Sequence, residues 1–157
     1  MLTFKDYYGH DVRLSFSNHP FSNNPKHVWV VCRFRGQWLL TSHSGRGLEF
    51  PGGKVENGEH PEDAASREVF EETGGYIRML TYIGQYEVTS KADTLVKNIY
   101  YAVIDSLEAK ADYLETNGPV LIDKLPEAVK KEKRYSFIMK DEVLPLTIEQ
   151  LQKRGLL

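Results

Sequence analysis

Cysteine occurs once in this chain, at position 32. A lone thiol forms no internal disulfide, which excludes the disulfide-framed secreted domains and fits a reducing compartment such as the cytoplasm. Cys32 lies in the run VWVVCRF and reads as a small core residue, not a catalytic thiol. No apolar run approaches the roughly 18 residues that span a bilayer. The first residues, MLTFKDYYGHD, lack the basic segment and apolar stretch of a signal peptide, so no membrane partner is expected. Basic excess is also missing: 20 Lys and Arg stand against 22 Asp and Glu, a net charge of −2. That balance disfavours nonspecific binding to a DNA duplex, although a few local cations suffice for a nucleotide or an RNA 5′ end. Repeats, low-complexity tracts and Pro/Gly/Ser-rich linkers are absent. The 157 residues read as one domain, 1–157.

Strand patterns dominate what is there. LTFKDYY and VRLSF flank GHD as a hairpin, and HVWVVCRF and QWLLTSH form a second across Arg35-Gly36. Residues 17–26, SNHPFSNNPK, are turn-forming, and residues 44–60, SGRGLEFPGGKVENGEH, are glycine-rich and expected to be mostly loop. The hydroxyl- and glycine-rich start of that second loop suggests no chemistry. Pro61 suits the first helical position, Glu62 and Asp63 suit a helix N-terminus, and Gly74 suits a left-handed stop, predicting a helix over Pro61–Thr73. Further strands are expected in IRMLTYIGQYEVTS, VKNIYYAVI and PVLI, and a short helix in LPEAVKKEK. TIEQLQKRG reads as a terminal helix with Thr147 as its cap and Gly155 as its stop. Helices flanking strands in this order predict an α/β fold with a mixed sheet.

The stretch REVFEETGG poses an electrostatic problem. At 100° per residue, Glu68, Glu71 and Glu72 fall within an arc of about 100°, with Ala64 and Ala65 one turn earlier. Val69 and Phe70 point to the opposite, core side. Arg67 can pair with Glu71, but Glu68 and Glu72 repel at i, i+4, costing an isolated helix about 0.2–0.5 kcal/mol. Such a cluster is either a solvated acidic face or a set of oxygen ligands for Mg²⁺ or Mn²⁺, which take one or two carboxylates alongside substrate phosphates.

Gly53, Glu59 and then Arg67-Glu68-Val69-x-Glu71-Glu72-x-Gly74 together resemble the Nudix box, here residues 53–75. One departure occurs at Gly75, where the family favours an apolar residue. FKDYY, PFSNNPKHVWV, EFPGGKVE, VKNIYYA, ETNGPVL and SFIMKDEVLP extend the similarity to MutT-type nucleoside triphosphatases of Bacillus-like bacteria. The resemblance implies the Nudix fold, an α/β/α sandwich around a mixed sheet. It also implies Mg²⁺- or Mn²⁺-dependent hydrolysis of oxidised guanine nucleotides such as 8-oxo-dGTP, or of triphosphorylated RNA 5′ ends. Carried onto this chain, Glu68 and Glu72 match the main metal ligands and Glu71 a near or water-bridged one, with the carbonyl of Gly52 or Gly53 a further candidate. Arg67 would orient these carboxylates, and Glu59 would fix the loop against the helix.

Hydrolysis of an anhydride also needs a proton acceptor and cations for the phosphates. Glu71 or Glu68 would take the proton, or Glu115 in ETNGPVL, a part of the chain from which some relatives supply a glutamate. Lys54 and Lys97 are candidate phosphate holders, and Tyr86, Asn98 and Tyr100 candidate base contacts. The run KKEKR, residues 130–134, is a candidate RNA contact. The histidines show no metal-binding spacing. The box alone also allows a nucleotide-sugar or dinucleoside polyphosphate pyrophosphatase. A noncatalytic nucleotide-binding domain is the contrasting reading, disfavoured because every acidic ligand position is kept.

Overall fold

Along His27–Phe34, Val28, Val30 and Cys32 point one way and Trp29 and Val31 the other, and all five are buried. A strand buried on both faces needs a covering layer on each. The computed structural model, which describes residues 1–157, supplies both. In chain order the strands are β1 (Leu2–Lys5), β2 (Asp11–Ser15), β3 (His27–Phe34), β4 (Gln37–His43), β5 (Gly47–Glu49) and β6 (Gly52–Lys54). Helix α1 (Pro61–Thr73) precedes β7 (Gly75–Thr89), β8 (Thr94–Leu107) and β9 (Thr116–Ile122), and α2 (Val143–Lys153) closes the chain.

The sheet runs β1-β2-β7-β8-β3-β4-β5, with β6 also paired to β3 and β9 to β4. β3 and β8 run parallel and the remaining pairs antiparallel, so the sheet is mixed. On one face Ala64, Ala65 and Val69 of α1 pack against Val28, Val30, Tyr100 and Ile104. On the other, Val143, Leu144 and Leu151 of α2 share a core with Trp29, Val31, Ile99 and Tyr101. This is the α/β/α sandwich that the resemblance implies.

A buried amide network ties residues 17–26 to the sheet. Gln85 accepts from the Phe21 and Ser22 amides at 3.0 and 3.2 Å and donates to the Ser22 carbonyl at 2.7 Å and to Asn98 Oδ1 at 2.9 Å. Asn98 in turn donates to the Tyr100 hydroxyl at 3.0 Å.

Two local expectations are corrected. α2 begins at Val143, four positions before the expected Thr147 cap, because Asp141 Oδ1 accepts the Val143 amide at 2.9 Å and stabilises the earlier turn. Thr147 is consequently interior and buried. LPEAVKKEK makes only a 3-10 turn, Val129–Lys131. The glycine-rich stretch 44–60 contains the short strands β5 and β6, each held by a longer neighbour.

The departure at Gly75 has a packing reason. Gly74 adopts φ 76° as the left-handed stop of α1, and its amide donates to the Phe70 carbonyl at 2.8 Å. The chain then turns back so tightly that a Cβ on Gly75 would lie 2.9 Å from Thr73 Oγ1 and 3.2 Å from Val69 Cγ1. An apolar side chain there would have to push the helix end away. Gly75→Val is expected to destabilise the fold by about 1–3 kcal/mol, read as a lower urea midpoint at unchanged m-value.

Candidate metal and phosphate site

Arg67 is the hub of the box. Its guanidinium donates to both oxygens of Glu59 at 2.8 and 3.0 Å, to Glu68 Oε1 at 2.9 Å, to Glu71 Oε2 at 3.2 Å and to the Lys54 carbonyl at 2.9 Å. The bidentate pair holds the Glu59 carboxyl down at about 2, assisted by the backbone at Glu56. Glu59 also accepts the Glu56 amide at 3.0 Å, so the turn before α1 is bolted to the helix through one side chain.

Glu68 and Glu72 lie one turn apart against the β6 loop. A Cβ on Gly53 would fall 2.5 Å from the Glu68 carboxylate, so any larger residue there would displace the side chain that Arg67 holds. Burial raises the Glu68 carboxyl above its usual range even though Arg67 opposes the shift. Glu72 is pushed up further, by burial and then by the charge of Glu68, with the Gly52 backbone partly offsetting this. Its Oε2 is buried without a hydrogen-bond partner. An orphaned carboxylate oxygen beside a second carboxylate and a backbone cradle is a donor set for a hard cation. No group of three or more acidic, His or Cys side chains converges on one point.

The end of α1 is held from behind. Thr41 and Thr116 hydroxyls each donate to the Glu72 carbonyl at 3.1 Å. Lys110 Nζ donates to the Phe70 and Glu71 carbonyls at 3.2 and 2.9 Å, placing a cation at the negative end of the helix dipole.

Cations line the other side of the Gly52-Gly53 wall. His27 is the cross-strand partner of both Lys54 on β6 and Lys97 on β8, so the three form a row across the sheet. Burial lowers the His27 imidazole, and the two lysines lower it further. Burial also lowers Lys97. A cavity of about 140 Å³ is bounded by Gly52, Gly53, His27, Lys97, Arg46 and Glu49. It meets a second of about 380 Å³ that contains Lys97, Tyr86, Phe137, Ile138 and Asp141.

Of the expected residues, Arg67, Glu59, Glu68, Glu71, Glu72 and Gly53 are brought together at the box. Lys97 and Tyr86 meet in the adjoining cavity, with Lys97 Nζ 5.6 Å from the Tyr86 ring centroid. Lys54 is exposed on β6. The Glu115 carboxylate is exposed, and its charge reaches Arg46, while its carbonyl accepts the Ser44 hydroxyl at 3.0 Å. Asn98 and Tyr100 are corrections as base contacts: they point to the α1 face, opposite Lys97 and Tyr86, and their polar groups are spent in the amide network. In the run 130–134, Lys130 pairs with Glu142 at 2.9 Å and Arg134 with Glu132 at 3.2 Å.

Sequence reasoning missed Arg46, Glu49, His27 and Asp141. Arg46 donates through Nε and Nη2 to buried Glu49 at 2.9 and 3.0 Å, leaving Nη1 without a hydrogen-bonded partner beside the cavity. The signal was an Arg and a Glu three residues apart just ahead of Pro51-Gly52-Gly53, inside the stretch that suggested no chemistry.

The chain matches the NUDIX domain model over residues 21–129. It belongs to the Nudix family. It is a Nudix hydrolase, and members of this family generally use divalent metal ions. A Bacillus subtilis (strain 168) relative, YtkD, is 57% identical over 99% of this chain and 98% of its own length, and its name carries a provisional assignment as an 8-oxo-dGTP diphosphatase. The crystal structure of the B. subtilis pyrophosphohydrolase BsRppH, in its E68A form, superposes with a TM-score of 0.98 at 57% identity over 99% of this chain and 98% of that one. A Nudix hydrolase from Nitrosomonas europaea, 22% identical over 83% of this chain and 90% of its own, shares the fold at a TM-score of 0.66.

A raised carboxyl in the fold holds a proton that the unfolded chain has already released, so it withdraws stability as pH rises above the ordinary carboxylate range. In EDTA, the Tm difference of Glu72→Gln minus wild type is therefore expected to grow from pH 5 to pH 8. A constant difference would rule out the buried pair. Added Mg²⁺ should raise the wild-type Tm more at pH 8, where it competes with fewer protons.

Proposed function

We propose that this chain hydrolyses phosphoanhydride bonds of nucleoside 5′-triphosphates, oxidised guanine nucleotides such as 8-oxo-dGTP among them, and of triphosphorylated RNA 5′ ends, with Mg²⁺ or Mn²⁺. The observation that carries this reading is the order of parts about Gly52-Gly53: paired carboxylates against Gly53 on one side, and on the other cations and then an aromatic cavity. A polyphosphate attached to a base has the same order. The names carried by the 57% identical B. subtilis sequence and crystal structure support the same substrate class.

Glu68 and Glu72, with the Gly53 carbonyl, would hold the metal, and Glu71 stands next to them. A bound divalent ion neutralises the phosphates and lowers the pKa of a coordinated water. Arg67 keeps the Glu68 and Glu71 carboxylates aimed by occupying one oxygen of each. Arg46, fixed by Glu49, and Lys97 offer charge to the phosphate oxygens, while Lys54 stands farther out on the row. Glu115 is our assignment for the proton acceptor: its carboxylate is exposed, and its charge reaches Arg46 beside the cavity. The buried free thiol at Cys32 suits the cytoplasm.

The wider cavity takes the base. Tyr86 and Phe137 supply apolar wall, and Asp141 supplies an acceptor, since its Oδ1 is engaged by the Val143 amide and Oδ2 is not. Guanine presents adjacent N1–H and N2–H donors to such a carboxylate, and adenine does not. Burial lifts the Asp141 carboxyl to about 6, so it accepts fully only above that pH.

Glu68→Gln and Glu72→Gln are each expected to lower metal-dependent phosphate or pyrophosphate release at least a hundredfold while leaving Tm in EDTA unchanged or raised. Retained turnover in both would remove the metal assignment. Asp141→Asn is expected to cut kcat/KM for GTP and 8-oxo-dGTP about tenfold while leaving ATP nearly unchanged. Equal losses for guanine and adenine substrates would take Asp141 out of base recognition.

A further inference from the structure

The turn between β1 and β2 carries two adjacent tyrosines: Tyr8 lines the base cavity, and Tyr7 lies outside it. Tyr7 is 53% exposed and Tyr8 60% exposed, although each is large enough to gain from burial. They are not loosely placed. Asp6 Oδ1 accepts the Tyr8 and His10 amides at 2.9 and 2.8 Å, and Asp6 Oδ2 lies 3.1 Å from His10 Nδ1, so the turn is braced from within.

The rings form a series leading away from the base cavity. Phe137, in the cavity wall, lies 5.0 Å from Tyr8; Tyr8 lies 5.2 Å from Tyr7, edge to face; and Lys140 Nζ stands 5.5 Å from the Tyr7 ring. Aromatic rings spaced along a groove, with a cation at the end, are what successive bases and a phosphate backbone require. A mononucleotide ends inside the cavity and reaches neither Tyr7 nor Lys140. The acids nearby do not oppose a strand at that outer end: Asp6 is turned inward to the turn and His10, and Asp141 is buried.

We propose that Tyr8, Tyr7 and Lys140 form a track for the nucleotides that follow the first in single-stranded RNA. This rests on the reading of the metal and base site given above. The track accounts for two large exposed rings at a braced turn, and it directs the strand past the β1–β2 hairpin. The run 130–134, whose Lys130 and Arg134 are already paired, is the competing route.

The test compares kcat/KM on GTP and on 5′-triphosphorylated RNAs of two, three and four nucleotides. Tyr7→Ala and Lys140→Gln are expected to leave GTP turnover within twofold of wild type and to lower turnover of the three- and four-nucleotide RNAs about tenfold. Tyr8→Ala is expected to lower it more. Equilibrium binding of the four-nucleotide RNA, followed by fluorescence anisotropy in a Glu68→Gln background, should weaken in the same order. Wild-type length dependence in all three variants would overturn the track, as would losses confined to a Lys130/Lys131/Lys133→Gln variant. If the wild type turned over none of these substrates, the hydrolytic reading would fail. The binding series would then still decide the track, upheld by weakening in the tyrosine variants and overturned by unchanged anisotropy.

Discussion

Arg67 holds together two parts of the chain that would otherwise drift apart. Its fork reaches back to Glu59 and the Lys54 carbonyl and forward to Glu68 and Glu71, so the loop carrying Gly53 and the helix carrying the carboxylates share one guanidinium. A lysine would supply the charge without the planar set of donors and could not satisfy all four partners. The arrangement also answers the repulsion along α1. Arg67 takes up negative charge on the Glu71 side, and the remaining strain is concentrated at Glu72, whose orphaned oxygen a cation would satisfy. Stability at that spot is given up so that affinity for a cation can be gained.

The sheet divides labour between its faces. One carries α1 and, through Gln85, Asn98 and Tyr100, the anchoring of residues 17–26. The other carries Lys97, Tyr86 and the cavity that α2 and its preceding segment close. Gly52 and Gly53 stand between carboxylates and cations. Small residues there let opposite charges work on the same polyphosphate without collapsing into ion pairs of their own.

How much of this was legible in the sequence depended on whether the signal was local. The bounds of α1 are set by Pro61 and Gly74, each acting through its own backbone, and they emerged unchanged. The ligand cluster was equally local, a matter of helical angle. Base recognition was not. Lys97, Asn98 and Tyr100 sit in one strand, and alternation alone separates Lys97 from the other two, but which face holds the cavity depends on where α2 packs. Arg46 escaped notice because its partner Glu49 is buried only in the folded chain. Thr147 failed as a cap because the Asp141 carboxylate, upstream, starts the helix first.

The parallel pairing of β3 with β8 has a consequence for how the protein comes into being. His27 and Lys97 are neighbours in space but are separated in the chain by the whole Nudix box. A helix of 13 residues is marginal on its own, and the cation row lacks Lys97 until β8 has been synthesised and slotted beside β3. The nascent chain therefore presents Arg46, Lys54 and the acids of the box before Lys97 joins them. The site is completed only by that late pairing.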